Sequence, residues 1–280
     1  MKTLILILFL TSLTFGQSNL LLLMSDDASP YLDETNTYLA RVEADGGEVI
    51  YIDTVDVMMR ALQDSSIYTS CKSFVNPNFG VKKDANNKVT KLYSLIGTAD
   101  FVQADTSKAY TWVATGGHNN TAYMLGDDVN DYMYMQPSCL TSGSDFTVNM
   151  RFYQIAPDVG DRYFAINHST GAASGMNLAY NGAVQILWDG AAWGTGGWAY
   201  TQNNWGFLSL TRDGNVASLY ANGSASTSST IDAAPIEGTT GIMMGSAGNT
   251  PGTYFGGRVE DFSVFNVILT NSQINIIYSK

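Results

Sequence analysis

The stretch from Trp205 to Gly223, WGFLSLTRDGNVASLYANG, constrains the fold more than any other. Leu208 and Leu210 alternate with Ser209 and Thr211, the period of a strand with one buried face. Asp213-Gly214 interrupts the run, Val216 to Ala221 resumes it, and Asn222-Gly223 interrupts it again. Asp-Gly and Asn-Gly supply the positive φ angles of tight hairpin turns, so the stretch reads as strands folded back on each other.

The same texture runs from Ala109 to the end. AYMLGDDVNDYMYM sets an acidic turn between two strands, and DFTVNMRFYQI places Phe146, Val148 and Met150 on one side. RYFAINHS, GMNLAYNG and AVQILWDG follow, each closed by Gly, Asn or Ser. Strands at this spacing without intervening helices predict an antiparallel sandwich. A short final helix is written by Thr270 as N-cap, Gln273 three residues on, and Leu269 facing Ile274: a capping box with a hydrophobic staple.

Residues 26–64 differ. Tyr38, Leu39 and Val42 share a helical face that Gly46-Gly47 ends. Val55, Met58, Met59 and Leu62 repeat at helical spacing after Asp53, read as an N-cap. GVKKDANNKVTKLYSL suggests a hairpin turned at Asn86-Asn87. At the start, MKTLILILFLTSLTFGQ sets Lys2 before an apolar run too short for a comfortable membrane span. The expected organisation is a signal peptide over residues 1–17, a small, mostly helical N-terminal module over 18–108, and the β-sandwich over 109–280. Such a chain would be secreted or held at a cell surface, with no membrane insertion after cleavage. Export permits a disulfide between Cys71 and Cys139, and two separate buried thiols fit equally well.

Acidic residues outnumber basic ones 25 to 14, a net charge of -11 with no basic patch, which excludes nucleic acid as the expected partner. The catalytic inventory is thin. The two histidines, His118 in GGHNNT and His168 in INHST, accompany no Gly-x-Ser-x-Gly elbow and no zinc-ligand spacing. Glu260 and Asp261 in VEDFSVF are adjacent, so a regular strand sends them to opposite faces, and they cannot flank a glycosidic bond together. The residues argue against an enzyme.

Two constellations suit binding. Asp127, Asp128, Asn130 and Asp131 crowd one turn with hard oxygen ligands of the kind calcium takes, or act simply as turn formers. Trp193 and Trp198 lie among glycines in LWDGAAWGTGGWAY, as a sugar-stacking platform requires, with Asn203 and Asn204 nearby as hydrogen-bonding groups. Core packing is the other use of these indoles, and Trp188 on its strand reads that way.

The order DDVNDYMYM, DFTVNMRFY, WGFLSLTRDGNVASLYANG, GIMMGSAG and YFGGRVEDFSVFNVILTNSQINIIY resembles the laminin-G-like branch of the concanavalin A-like jelly rolls. The resemblance covers roughly residues 110–280 and is most specific in the terminal half. It implies a mainly β fold, an antiparallel jelly-roll β-sandwich, with Trp205 as a structural residue. It also implies neighbouring first and last strands, so that Asp131 and Asp261 would approach each other and share calcium with Asp127. The region before it is similar, more loosely, to lead-in segments of phage and prophage structural proteins.

The function expected is a non-catalytic exported recognition or adhesion protein that binds a glycan or cell-surface partner through jelly-roll loops. The alternative is a virion structural protein, a fibre, tail or head decoration, with virion proteins as partners. A glycoside hydrolase comes third. Homo-oligomerisation stays open.

Overall fold

The computed structural model describes residues 29–135, 138–141, 143–155, 157–166, 176–188, 192–193, 197–230, 241–246 and 254–280, so the expected signal peptide lies outside the described residues. Two helices come first, α1 (Asp33–Ala44) and α2 (Ile52–Asp64), followed by β1 (Cys71–Val75), β2 (Val81–Lys83), β3 (Val89–Leu92) and β4 (Phe101–Val102). Next are β5 (Thr111–Val113), β6 (Tyr123–Leu125), β7 (Met133–Met135), β8 (Phe146–Gln154) and β9 (Arg162–Ile166). The chain continues through β10 (Met176–Tyr180), β11 (Val184–Trp188), β12 (Ala192–Trp193), β13 (Trp205–Asp213), β14 (Val216–Ala221) and β15 (Ser224–Thr230). It closes with β16 (Ile242–Met244), β17 (Gly257–Phe265) and α3 (Asn271–Tyr278).

The strands form two antiparallel sheets, the jelly-roll sandwich that the strand pattern and the resemblance implied. One runs β15-β14-β13-β8-β17-β6-β5; the other runs β12-β11-β10-β9-β16-β7-β4-β3-β2. β17 carries two partners on its outer edge in addition to β8. β6 pairs with it at Arg258 and Val259, and β1 pairs with it from Phe262 to Phe265. Asp213-Gly214 turns β13 into β14, and Asn222 (φ 48°) with Gly223 (φ 77°) turns β14 into β15, both left-handed as a tight hairpin requires.

Alternation along β8 fixes the layers. Phe146, Val148, Met150 and Phe152 enter the core between the sheets, with Leu208, Leu210, Val259, Phe262 and Phe164. Thr147, Asn149, Arg151 and Tyr153 therefore face outward. A second core lies on that outer face, where Val55, Met58, Met59 and Leu62 of α2 meet Phe207, Phe265, and Ile274 and Ile277 of α3. Each such side chain contributes about 1.5–3 kcal/mol by leaving water, which explains why α2 stays on the sheet.

Residues 71–108, which the texture of the sequence groups with the helices, supply four strands to the sandwich: β1 to one sheet, β2 to β4 to the other. Tyr31–Lys280 form one compact unit. α2 begins at Ile52 with Tyr51 at the cap position, so Asp53 is not the N-cap; it sits in the first turn and accepts from the Tyr31 hydroxyl at 2.8 Å. The capping box on α3 is present as the sequence predicts.

Candidate functional site

The register of β17 against β8 breaks between Val259 and Phe262: Val259 is opposite Phe152 and Phe262 is opposite Met150. Glu260 and Asp261 thus share the single opposing position of Arg151. This is a β-bulge, and it turns both carboxylates to the outer face. The expectation that neighbours on this strand diverge is corrected here.

Each carboxylate is held. Asp261 accepts from Arg151 Nε at 2.6 Å and from Asn76 Nδ2 at 2.5 Å. Glu260 accepts from the His118 backbone N–H at 2.7 Å and the Thr121 hydroxyl at 2.6 Å. Asn76 is positioned in turn by Asn78, whose backbone N–H and side-chain amide both donate to Asn76 Oδ1 at 2.7 Å. Arg151 also donates to the Tyr278 carbonyl at 2.7 Å and lies 3.3 Å from His118 Nδ1. A guanidinium has only donors, so this last contact makes Nδ1 the acceptor and leaves the ring proton on Nε2. Burial lowers the His118 pKa and the Arg151 charge adds to the effect, in the direction of the neutral imidazole that the Arg151 contact requires. Burial, with the Asp261 charge beside it, pushes Glu260 up to about 8.

Both carboxyls, Asn76, Asn78, His118 and Thr121 line a cavity of about 230 Å³ between α2 and the bulge, with Arg151 behind them. Its walls include Tyr51, Val57 and Phe79, its polar side Asn76, His118 and Glu260. Tyr51 and Val57, 42% and 48% exposed, put apolar surface at the cavity edge.

Beside the cavity, one register row crosses four strands: Trp205 opposite Tyr153, Tyr153 opposite Arg258, Arg258 opposite Leu125. The Trp205 and Tyr153 rings are 5.7 Å apart, and the Arg258 guanidinium lies 4.5 Å from Tyr153 and 4.9 Å from Tyr123. Trp205, Tyr153 and Arg258 are half-buried and Leu125 is exposed. The His118 ring, 6.3 Å edge-on from Trp205, joins row to cavity.

Of the residues singled out from sequence for binding, Asp261 belongs to this site and the others lie elsewhere. Trp198 is half-buried against the inter-sheet core, edge-on to Phe152 at 6.2 Å and Tyr200 at 5.3 Å, so its indole packs. Trp193 pairs with Leu187 on β12, and its side chain lies outside the described residues. Asn203 and Asn204 are exposed in the turn before β13, with the Asn203 N–H donating to the Gln154 carbonyl at 3.1 Å. The Tyr200 hydroxyl donates to the Asn204 carbonyl, so Trp198 and both asparagines share one corner, with the Trp198 indole packed on Phe152 and Tyr200.

The proposed calcium ligands do not converge. Asp127 and Asp131 meet, the Asp127 N–H donating to Asp131 Oδ2 at 3.2 Å, but Asp261 is committed to Arg151 and Asn76 across the bulge. Asp127 also accepts from the Val129 and Asn130 N–H groups at 2.9 and 3.1 Å, the work of a turn former. Among the described residues no group of three or more His, Cys, Asp or Glu is arranged to hold a metal ion. Sequence reasoning missed Arg151, Asn76 and Asn78. Its one trace of the site was two successive acids, Glu260 and Asp261, between Val259 and Phe262.

The sequence model of the concanavalin A-like lectin/glucanases superfamily matches residues 126–275. No curated protein matches the chain. Among solved structures, domain 4 of AbnA, a GH43 extracellular arabinanase from Geobacillus stearothermophilus in complex with arabinotriose, is 12% identical with a TM-score of 0.54, over 75% of this chain and 98% of that one. Trypanosoma rangeli sialidase is 12% identical with a TM-score of 0.52, over 81% of this chain and 38% of the sialidase. The binding domain of Paraclostridial Mosquitocidal Protein 1 is 14% identical with a TM-score of 0.51, over 76% of this chain and 52% of that domain. These likenesses are of fold.

Proposed function

Because the chain belongs to the concanavalin A-like lectin/glucanases superfamily, we propose that it is a non-catalytic recognition protein that binds glycan, exported and acting outside the cell or at its surface. One observation carries the non-catalytic part. All four oxygens of the carboxyl pair in the cavity are already hydrogen-bonded to protein groups. Such groups hold a scaffold together, whereas a general base needs an oxygen within reach of the substrate proton. The family and the arabinotriose complex of one structural neighbour support a sugar as the ligand class.

The test is a glycan array with the full chain, followed by incubation of each bound glycan and assay of new reducing ends. Selective binding with unchanged glycan is the expected result. A folded protein that ignores a broad array would overturn the reading.

A second reading rests on Glu260. A raised carboxyl such as Glu260, pushed up to about 8 beside a second carboxyl group, is the pairing glycoside hydrolysis uses. Reducing ends that appear with the wild type and vanish with Glu260→Gln would establish that reading instead.

A further inference from the structure

We propose that the cavity at the β17 bulge and the adjoining Trp205–Tyr153 row form one two-part carbohydrate site on the outer face of the eight-stranded sheet. The cavity takes a terminal, uncharged sugar and the row takes the next unit. The inference rests on the glycan-binding reading above and moves the site away from the sandwich loops.

The charges of the cavity floor favour an uncharged ligand. Arg151 offsets Asp261 at 2.6 Å, and the His118 ring is neutral with its proton on Nε2. The exposed Asp53 and Lys280 add one charge of each sign to the lining, and the rest is a set of neutral hydrogen-bonding groups, His118 Nε2–H and the exposed Asn119 among them, beside the Glu260 carboxyl and the apolar faces of Tyr51, Val57 and Phe79. Sugars present that mixture, hydroxyl edges and C–H faces. The volume, about 230 Å³, equals roughly eight waters at about 30 Å³ each, suited to one monosaccharide unit rather than a chain.

The row supplies what the cavity lacks. Trp205 and Tyr153 are large, conformationally stiff amphipathic rings, and each belongs to a paired strand rather than a loop. Neither belongs to either packed core, unlike Phe207 on the same face. His118 borders both parts, so a ligand leaving the cavity past that ring meets Trp205.

The test uses the full chain and four probes, cellohexaose, xylohexaose, mannohexaose and maltohexaose, by calorimetry. At least one should bind, and Trp205→Ala and Tyr51→Ala should each weaken it about tenfold, while Asn203→Ala and Asn204→Ala leave it unchanged. Amide hydrogen exchange of the wild type with saturating probe should slow over residues 116–121, which reads the site even if Trp205→Ala unfolds. Binding that survives both aromatic substitutions, without slowed exchange at 116–121, overturns this site and leaves glycan recognition standing. Loss confined to the asparagine variants would move the site to the Trp198 corner. Silence of the wild type toward all four probes overturns this proposal, and silence on the broad array as well overturns the glycan reading beneath it.

Discussion

Arg151 meets Asp261 at 2.6 Å on the outer face of the eight-stranded sheet, with the arginine only 2% exposed. The same guanidinium donates to the Tyr278 carbonyl, so it ties α3 to the bulge. Removing it would leave Asp261 buried beside Glu260 with no counter-charge. Arg151→Met should lose about 3–5 kcal/mol, read by urea unfolding. Combining it with Asp261→Leu should recover most of that loss. A single variant as stable as the wild type would show that water compensates the carboxylate.

Stability should fall as pH rises from about 5 to 8. Burial raises Asp131 to about 6, Asp161 to about 7 and Glu260 to about 8, with neighbouring carboxylates adding to each. Each group keeps its proton in the folded chain after the unfolded chain has released it. The folded state therefore binds more protons across that window, and its advantage declines with rising pH. His118, lowered by burial, works in the opposite sense below its ordinary 6.5. Between pH 7 and 8 Glu260 is the last of the three still titrating, so Glu260→Gln should flatten a plot of Tm against pH there. An unchanged slope would remove Glu260 as its source.

Cys71 and Cys139 are not bonded to each other, and burial raises both thiols, Cys139 to about 12. Native protein should therefore resist iodoacetamide at pH 8, and both thiols should react after unfolding without reductant. Alkylation that appears only once reductant is added would reveal a disulfide.

Thr270 caps α3 through the Gln273 backbone N–H at 3.3 Å, and Gln273 Oε1 accepts from the Thr270 N–H at 2.9 Å. Thr270→Ala should cost about 1 kcal/mol in thermal or urea unfolding. Thr270→Asn should cost less, because its side-chain oxygen can accept the same bond.

Local chemistry made the hairpins and the final helix legible. Asp213-Gly214, Asn222-Gly223 and the Thr270–Gln273 box each act within four residues, where sequence and geometry are directly linked. The bulge was not legible, because its cause is remote: Arg151 lies 110 positions from Asp261, and Asn76 lies 185 away. Glu260 and Asp261 between Val259 and Phe262 were the available clue, since a regular strand would drive one of the two acids into the core. The β2–β3 hairpin was legible at its Asn86-Asn87 turn, whereas the two-residue β4 is too short to show a period, and so residues 71–108 group by sequence with the helical module rather than with the sandwich. Trp198 looked like a platform because glycines surround it in sequence; its ring instead meets Phe152, on a strand more than forty positions earlier.

β17 lies in the interior of its sheet, bonded to β8 on one side and to both β6 and β1 on the other, yet it is the last strand among the described residues. A chain emerging from its N-terminus thus makes β1, β6 and β8 before the strand they all pair with exists. Until that strand arrives, β8 holds an open edge, and Phe207 waits for the helices to be anchored over it. Completion of the fold is accordingly a late, long-range event, of the kind that slows folding and exposes intermediates to aggregation. Truncation before Gly257 would remove the member that joins the two halves of the sheet, and chains shortened there should collect as insoluble material rather than as a smaller version of the protein.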